Sequence, residues 1–314
     1  MIAPVADITD IPLPTALALV RTAFDAPAIT ARAIDSTRVV EYYRQSERAY
    51  RMFHSSAGAL HIGLSKPDAA EGDVGHQRHV ELFADVLEAV DARQAIEFGC
   101  GLGYNVRTLA GAKPGCSFTG VDLSPHHLAS ARRDARGLTN LEFVEGNYQQ
   151  LSLEDGVFDA VLAVETLCQT DDQRLAVAEA FRLLRPGGQM LVIDCFRNVP
   201  LHELEEDLRE AVLLVEKTAA VNAFAEVQEW QQMVIGLGFE VVERHDRSAE
   251  TARDLARLYR LARRFFKMSL AVKMIRRAMP TLALENAVCG LMMPYTVGAG
   301  AHGYYTITLE KPAE

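Results

Sequence analysis

The stretch Ala95-Ile-Glu-Phe-Gly-Cys-Gly-Leu-Gly-Tyr-Asn-Val-Arg-Thr-Leu-Ala110 constrains this chain more than any other. An apolar run that reads as the end of a buried strand breaks into glycines at alternate positions, Gly99, Gly101 and Gly103, and then resumes with helical spacing. The pattern predicts a strand, a tight turn and a helix. Residues without a Cβ let the backbone turn sharply and let a ligand approach the main chain, so a nucleotide-like cofactor is the expected occupant. A dinucleotide needs a third glycine or alanine at the close of G-x-G-x-x-G. Here that position is Tyr104, or Val106 when the count starts at Gly101, and the dinucleotide reading fails in both frames.

Three more stretches follow in order. Ser117-Phe-Thr-Gly-Val-Asp122 reads as a second strand ending in an acid about twenty residues beyond the glycines, where a carboxylate can accept from both ribose hydroxyls. Ser124-Pro125 then opens a helix with an N-cap and a first-turn proline, and Gly137 closes it. Together with Glu97-x-Gly99-Cys100-Gly101-x-Gly103, with Phe158 to Val164 and with Leu184-Arg-Pro-Gly-Gly-Gln-Met-Leu-Val-Ile-Asp194, this series resembles class I S-adenosylmethionine-dependent methyltransferases. The resemblance extends to the group that holds sterol, tocopherol and isoprenoid C-methyltransferases and the rebeccamycin-type small-molecule methyltransferases. It implies an α/β fold, a doubly wound Rossmann-like seven-stranded sheet with an antiparallel last strand, plus a helical cap. It also implies S-adenosyl-L-methionine as cofactor, held by Glu97, Gly99, Gly101, Gly103, Asp122, Leu123, Asn147, Tyr148 and Val164. Asn147 stands where the family usually has Asp, and keeps an acceptor oxygen for the adenine amino group.

At 314 residues and 49% hydrophobic composition the chain can bury one large core. With no internal repeat or low-complexity linker, one composite domain is expected: an N-terminal helical arm and lid over 1–80, a cofactor-binding core over 81–196, a helical cap insertion over 197–238, and the last strands with a second cap insertion over 239–314. A net charge of -10 argues against a general nucleic-acid binder, whose affinity comes from neutralising phosphates, and favours small-molecule partners. The five cysteines form no C-x-x-C pair, and an odd number speaks against a disulfide framework, so a reducing cytoplasm is expected. No stretch reads as a membrane span. Whether the chain forms a homo-oligomer is left open.

Val39 to Phe53 is aromatic-rich at helical spacing and places Tyr43, Tyr50 and Phe53 on one face, ahead of His61-Ile62-Gly63. In the resembled group an entry helix followed by H-x-G folds over the methionine end of the cofactor; most members carry Trp-Gly where this chain has Phe53-His54. His76-Gln-Arg-His79 opens a helix running to about Val90. Two histidines at i, i+3 can ligate a metal, yet no third ligand follows at useful spacing, so the pair reads as a solvated face and no metal is assigned. After the fourth strand, Val164-Glu165-Thr-Leu-Cys168-Gln169 points into the crevice where ligands sit in such sheets. Sterol C-methyltransferases carry Glu-Ala-Thr-Cys-His there; this chain keeps Glu165 and Cys168 and has Gln169 in place of the histidine. The resemblance therefore assigns Glu165 and His61 to catalysis, and Tyr43, Tyr50, Phe53, Cys168 and Tyr304 to the acceptor.

Beyond Asp194 the pattern departs from a compact sheet. Helical stretches over 197–238 and 251–279 flank a strand from Phe239 to Asp246, and the last strand runs from Tyr304 to Leu309. The second insertion carries a basic stripe, Arg253, Arg257, Arg260, Arg264 and Lys267, continued by Lys273, Arg276 and Arg277, opposite Leu258, Leu261, Phe265 and Met268. It reads as a solvated face, a clamp for an anionic substrate group, or a weak membrane-surface contact. The leading expectation is C-methylation of an isoprenoid or prenyl-bearing acceptor through a carbocation. Two alternatives stand beside it: an O- or N-methyltransferase of a natural product with His61, His202 or His245 as base, and a non-catalytic cofactor-binding scaffold.

Overall fold

The computed structural model describes residues 5–66, 70, 75–267 and 281–313. Its centre is a seven-stranded sheet formed by β1 (Gln94–Phe98), β2 (Ser117–Asp122), β3 (Leu141–Glu145), β4 (Phe158–Val164), β5 (Leu184–Arg197), β6 (Glu240–Asp246) and β7 (His302–Glu310), in the order β3-β2-β1-β4-β5-β7-β6. Strands β3, β2, β1, β4 and β5 pair in parallel, whereas β7 runs antiparallel to both β5 and β6. This is the sheet that the sequence predicts. Strand order reverses between β1 and β4, so a crevice opens beyond their carboxyl ends.

Alternation along the central strands divides the core in two. Ala95, Leu162, Leu191 and Ile193 point into one apolar cluster, and Ile96, Phe98, Val161, Ala163, Met190 and Val192 into the other. Helices cover both faces, which is why β4 is buried along its whole length. On the second face lie α7 (Gln173–Leu183) and α9 (Val227–Gly236). On the first lie α4 (Gln77–Ala89) and α5 (Tyr104–Ala112), and the same cluster continues without a break into the cap.

The cap is built from α1 (Leu13–Ala23), α2 (Ala26–Thr30), α3 (Ser36–Ala49), α8 (Glu206–Thr218), α10 (Ala252–Lys267) and α11 (Thr281–Gly298). Local chemistry sets several starts: the Asp35 side chain accepts from Arg38 N ahead of α3, and Ser124 accepts from His127 N ahead of α6 (Pro125–Asp134). Helix α11 packs on α8 and α10. The sequence reading did not separate it, because its apolar residues surround the helix instead of forming one stripe. On α10 the buried apolar side chains are Ala252, Leu255, Tyr259, Ala262 and Phe266, one step around the helix from Leu258, Leu261 and Phe265 of the set that the sequence suggested, which are half-buried. Met268, Lys273, Arg276 and Arg277 lie outside the described residues. No helix among the described residues is long and apolar enough to cross a membrane.

Candidate active site

Two cavities meet at the carboxyl edge of the sheet. The first follows the glycine turn. Gly99 has φ +62°, and a Cβ there would lie 1.9 Å from Thr166 Oγ1; Gly101 has φ +52°. Both positions therefore need glycine, and both leave the main chain open to a ligand. Asp122, at the end of β2, accepts from Gly101 N through Oδ2 and from Ser124 N through Oδ1, each at 2.8 Å. Glu97 is buried and accepts from Asn105 Nδ2 at 2.7 Å and Val106 N at 3.3 Å; burial pushes its pKa up to about 8. Leu123, Asn147, Tyr148 and Val164 line the same cleft. The Tyr148 ring stacks on Phe98, and its hydroxyl donates to Thr166 O at 2.8 Å. Gly103 stands behind the cleft: it starts α5 at φ +73°, where a Cβ would lie 2.9 Å from the Phe143 ring. A bare backbone cradle with a carboxylate at the neighbouring strand end fits a nucleoside with no phosphate.

The second cavity, of about 430 Å³, lies between the sheet edge and the cap and is mostly apolar. Tyr43, Leu60, Glu165 and Gln169 line both cavities and so mark where they join. Glu165 is held at φ +44°, in the left-handed region, a conformation costing about 1 to 3 kcal/mol that persists only where the surroundings impose it. Here the strand end ties Glu165 N to Ile193 O, while Oε1 accepts from Ile62 N and from the Tyr304 hydroxyl, both at 2.7 Å. Burial raises its pKa to about 8, against the pull of those two donors.

Gln169 has both ends engaged: Oε1 accepts from the Tyr43 hydroxyl at 3.1 Å and Nε2 donates to Ala219 O at 2.9 Å. Tyr50 lines the cavity and its hydroxyl lies 2.8 Å from that of Tyr42, which also donates to Asn286 Oδ1 at 2.5 Å. Cys168 lines the wall, with its backbone N donating to Asp194, whose pKa burial raises to about 6. The Phe53 side chain lies outside the described residues.

Other sequence-predicted residues fall elsewhere. Tyr304 is behind Glu165 and does not line the acceptor cavity, so its contact is with the carboxylate and not with an acceptor. His61 lies on the cofactor side, its ring 4.0 Å from that of His79, and burial pushes its pKa down to about 3. The solvated-face reading of His76 and His79 is corrected. His79 is fully buried and His76 largely so, because α4 turns His79, Val80, Phe83 and Leu87 together onto the sheet. His76 also meets two groups remote in sequence: His54, His76 and Asp254 offer ligand atoms within 4.8 Å of one another. Arg257 already places positive charge there, donating to Asp254 Oδ1 and lying 3.3 Å from His54 Nδ1. Of the basic stripe, Arg257 thus turns inward, Arg253 donates to Ala70 O, Arg260 and Lys267 face solvent, and Arg264 reaches the cavity rim; Arg263, beside the stripe, pairs with Asp10. Tyr42 and Asn286 carried no spacing signal of their own.

Comparison with known proteins agrees with this geometry. Residues 96–192 match the family model described as a methyltransferase domain. A sterol 24-C-methyltransferase of Gibberella zeae is 30% identical over 177 residues, covering 54% of this chain and 45% of that protein. A fatty-acid O-methyltransferase of Mycolicibacterium smegmatis is 32% identical over 155 residues, covering 49% and 56%. The chain thus spans about half the length of these curated relatives. In fold it is similar to the [4+2]-cyclase SpnF, with a TM-score of 0.70 at 21% identity over 90% of this chain and 98% of that one. The glycine turn and the strand-end acid lie within the stretch that matches the methyltransferase domain.

Proposed function

We propose that the protein transfers a methyl group from S-adenosylmethionine to an alkene carbon of a small hydrophobic acceptor, an isoprenoid or prenyl-bearing compound. The observation that carries this reading is Glu165, a strained carboxylate at the junction of the two cavities, beside the aromatic rings of Tyr43 and Tyr50. When bound, the cofactor supplies an electrophilic sulfonium methyl. Gly99, Gly101 and Asp122 hold it against the backbone, with Glu97, Leu123, Asn147, Tyr148 and Val164 around it, and the cap excludes water from the path of an in-line displacement. Methylation of an alkene carbon leaves a positive charge on the neighbouring carbon. The Glu165 carboxylate and the ring faces of Tyr43 and Tyr50 stabilise that charge, each ring by about 0.5 to 2 kcal/mol. Glu165 then takes a proton from the adjacent C–H, whose electrons form the new alkene. Arg264 at the rim suits an acceptor with an anionic group.

The runner-up is O-methylation, favoured by the fatty-acid relative. For a hydroxyl acceptor no free histidine base stands in the cavity among the described residues, which leaves Glu165 as the base there too; a carboxylate acceptor, ionised near neutral pH, needs none. His202 and His245 are exposed, His61 is held neutral on the cofactor side, and His54, which does line the cavity, has both ring nitrogens engaged by His61 O and Arg257. The test is incubation with methyl-labelled S-adenosylmethionine and a panel of geranyl diphosphate, an alkene-bearing sterol and a long-chain fatty acid, with the labelled carbon located by mass spectrometry and NMR. Label on carbon supports the reading. Label on oxygen gives the runner-up, and cofactor binding without transfer to a wide panel leaves a scaffold.

A further inference from the structure

Behind the Glu165 carboxyl lies a buried polar chain that methyl transfer itself does not require. Tyr304, on β7, is 1% exposed, and its hydroxyl donates to Glu165 Oε1 at 2.7 Å. On the far side of that hydroxyl, His79 Nε2 lies 3.0 Å away; His79 comes from α4 and is fully buried. A tyrosine hydroxyl has one proton, and an ionised carboxylate can only accept. When Glu165 is ionised, the Tyr304 proton is therefore spent on it, and the 3.0 Å contact requires His79 to donate from Nε2. Burial keeps His79 neutral, so its other nitrogen must then be bare. His79 Nδ1 makes no hydrogen bond of good geometry among the described residues, although the His76 backbone lies close enough to favour a proton on the ring.

We propose that His79 is a positioning residue: by donating from Nε2 to Tyr304 it turns the Tyr304 proton onto Glu165 and so favours the ionised form of that base, opposing the burial that disfavours it. This rests on the reading of Glu165 as the base. The surroundings make such a device necessary. Asp194 on β5 and Asp254 on α10 face Glu165 with negative charge, Tyr43, Tyr50 and the buried thiols Cys168, Cys195 and Cys289 add none that would help ionisation, and the opposing groups are Tyr304 and the Ile62 N–H. Around His79 the charges of His61, His76 and Arg78 disfavour a second proton on its ring, and the His76 backbone alone favours one.

The ionisation midpoint of Glu165 can be followed by NMR in protein with ¹³C-labelled glutamate carboxyls, the signal being assigned by its loss in Glu165→Gln. Tyr304→Phe should raise the midpoint by about one to two pH units. His79→Phe should raise it in the same direction by about half a unit or more, while His79→Gln, which keeps a donor, should restore it to within a few tenths. In ¹⁵N-histidine-labelled wild type at pH 9, His79 should be the Nε2–H tautomer. An Nδ1–H tautomer at that pH, or an unmoved midpoint in Tyr304→Phe, overturns the proposal even if His79→Phe fails to fold. None of these readouts needs an acceptor. Full turnover in Glu165→Gln would instead remove Glu165 as base, so the two failures are distinguishable.

Discussion

Replacing Glu165 by glutamine is the change on which the carbocation mechanism depends. The amide oxygen can keep both bonds that Oε1 now accepts, from Ile62 N and Tyr304, and the residue at φ +44° carries the same backbone cost in either form. What is lost is charge and basicity. Turnover should fall by about 10² to 10⁴, the range for a positioned acid or base, equivalent to roughly 3 to 5 kcal/mol of barrier. The pKa of about 8 decides where to measure. A group with that pKa is only about one-tenth ionised at pH 7, so wild-type kcat/KM at limiting substrates should climb about tenfold per pH unit towards 8 and level above it. The contrast between wild type and variant is therefore about ten times larger at pH 9 than at pH 7. The assay is single-turnover transfer of labelled methyl to whichever panel acceptor is used, with cofactor affinity followed by calorimetry. Cofactor binding should stay nearly intact. A variant that turns over at the wild-type rate at pH 9, or a wild-type profile flat between pH 6 and 9, would refute the reasoning.

Four other outcomes follow from the same structure. Asp122→Ala should weaken S-adenosylmethionine binding by about 1.5 to 3 kcal/mol per lost charge-assisted bond, read by calorimetry; unchanged affinity, or tight NAD binding by wild type, counts against the cofactor assignment. Gly99→Ala drives a Cβ into Thr166 at a positive φ and should cost more than about 2 kcal/mol; a melting temperature equal to wild type would contradict the cradle geometry. Arg264→Gln should raise the KM for geranyl diphosphate several-fold and leave that of a neutral sterol alone; an equal effect on both removes Arg264 from anion recognition. The last concerns stability. Glu97 and Glu165 have folded pKa values of about 8 against an ordinary 4.5, so each holds a proton that the unfolded chain has released, and stability falls as pH rises between those values. Neutral buried His54, His61 and His79 act oppositely, but only up to their ordinary 6.5. The ligand-free protein should therefore lose stability from pH 6.5 to 8 in thermal melts, less steeply in Glu165→Gln; a rise across that window contradicts these environments.

The sequence by itself determined what depends on local geometry. Alternate glycines after an apolar run force the turn at Gly99 to Gly103, Ser124 and Pro125 fix the start of α6, and the spacing to Asp122 puts an acid at the next strand end. These are short-range requirements of φ, capping and periodicity, and they carried the sheet and the cofactor cleft with them. Only the tertiary structure decided which side chains meet. Glu165 is bonded to Ile62 N, 103 residues earlier, and to Tyr304, 139 residues later; His79 reaches Tyr304 across 225 residues. Helical spacing indicates which residues share a face of α4 or α10, but not which face the sheet and cap cover. For that reason His76 and His79 read as solvated until the packing buried them, and Arg257 read as part of an open stripe until Asp254 and His54 closed around it. Periodicity is a property of one element, and burial is a property of what it packs against.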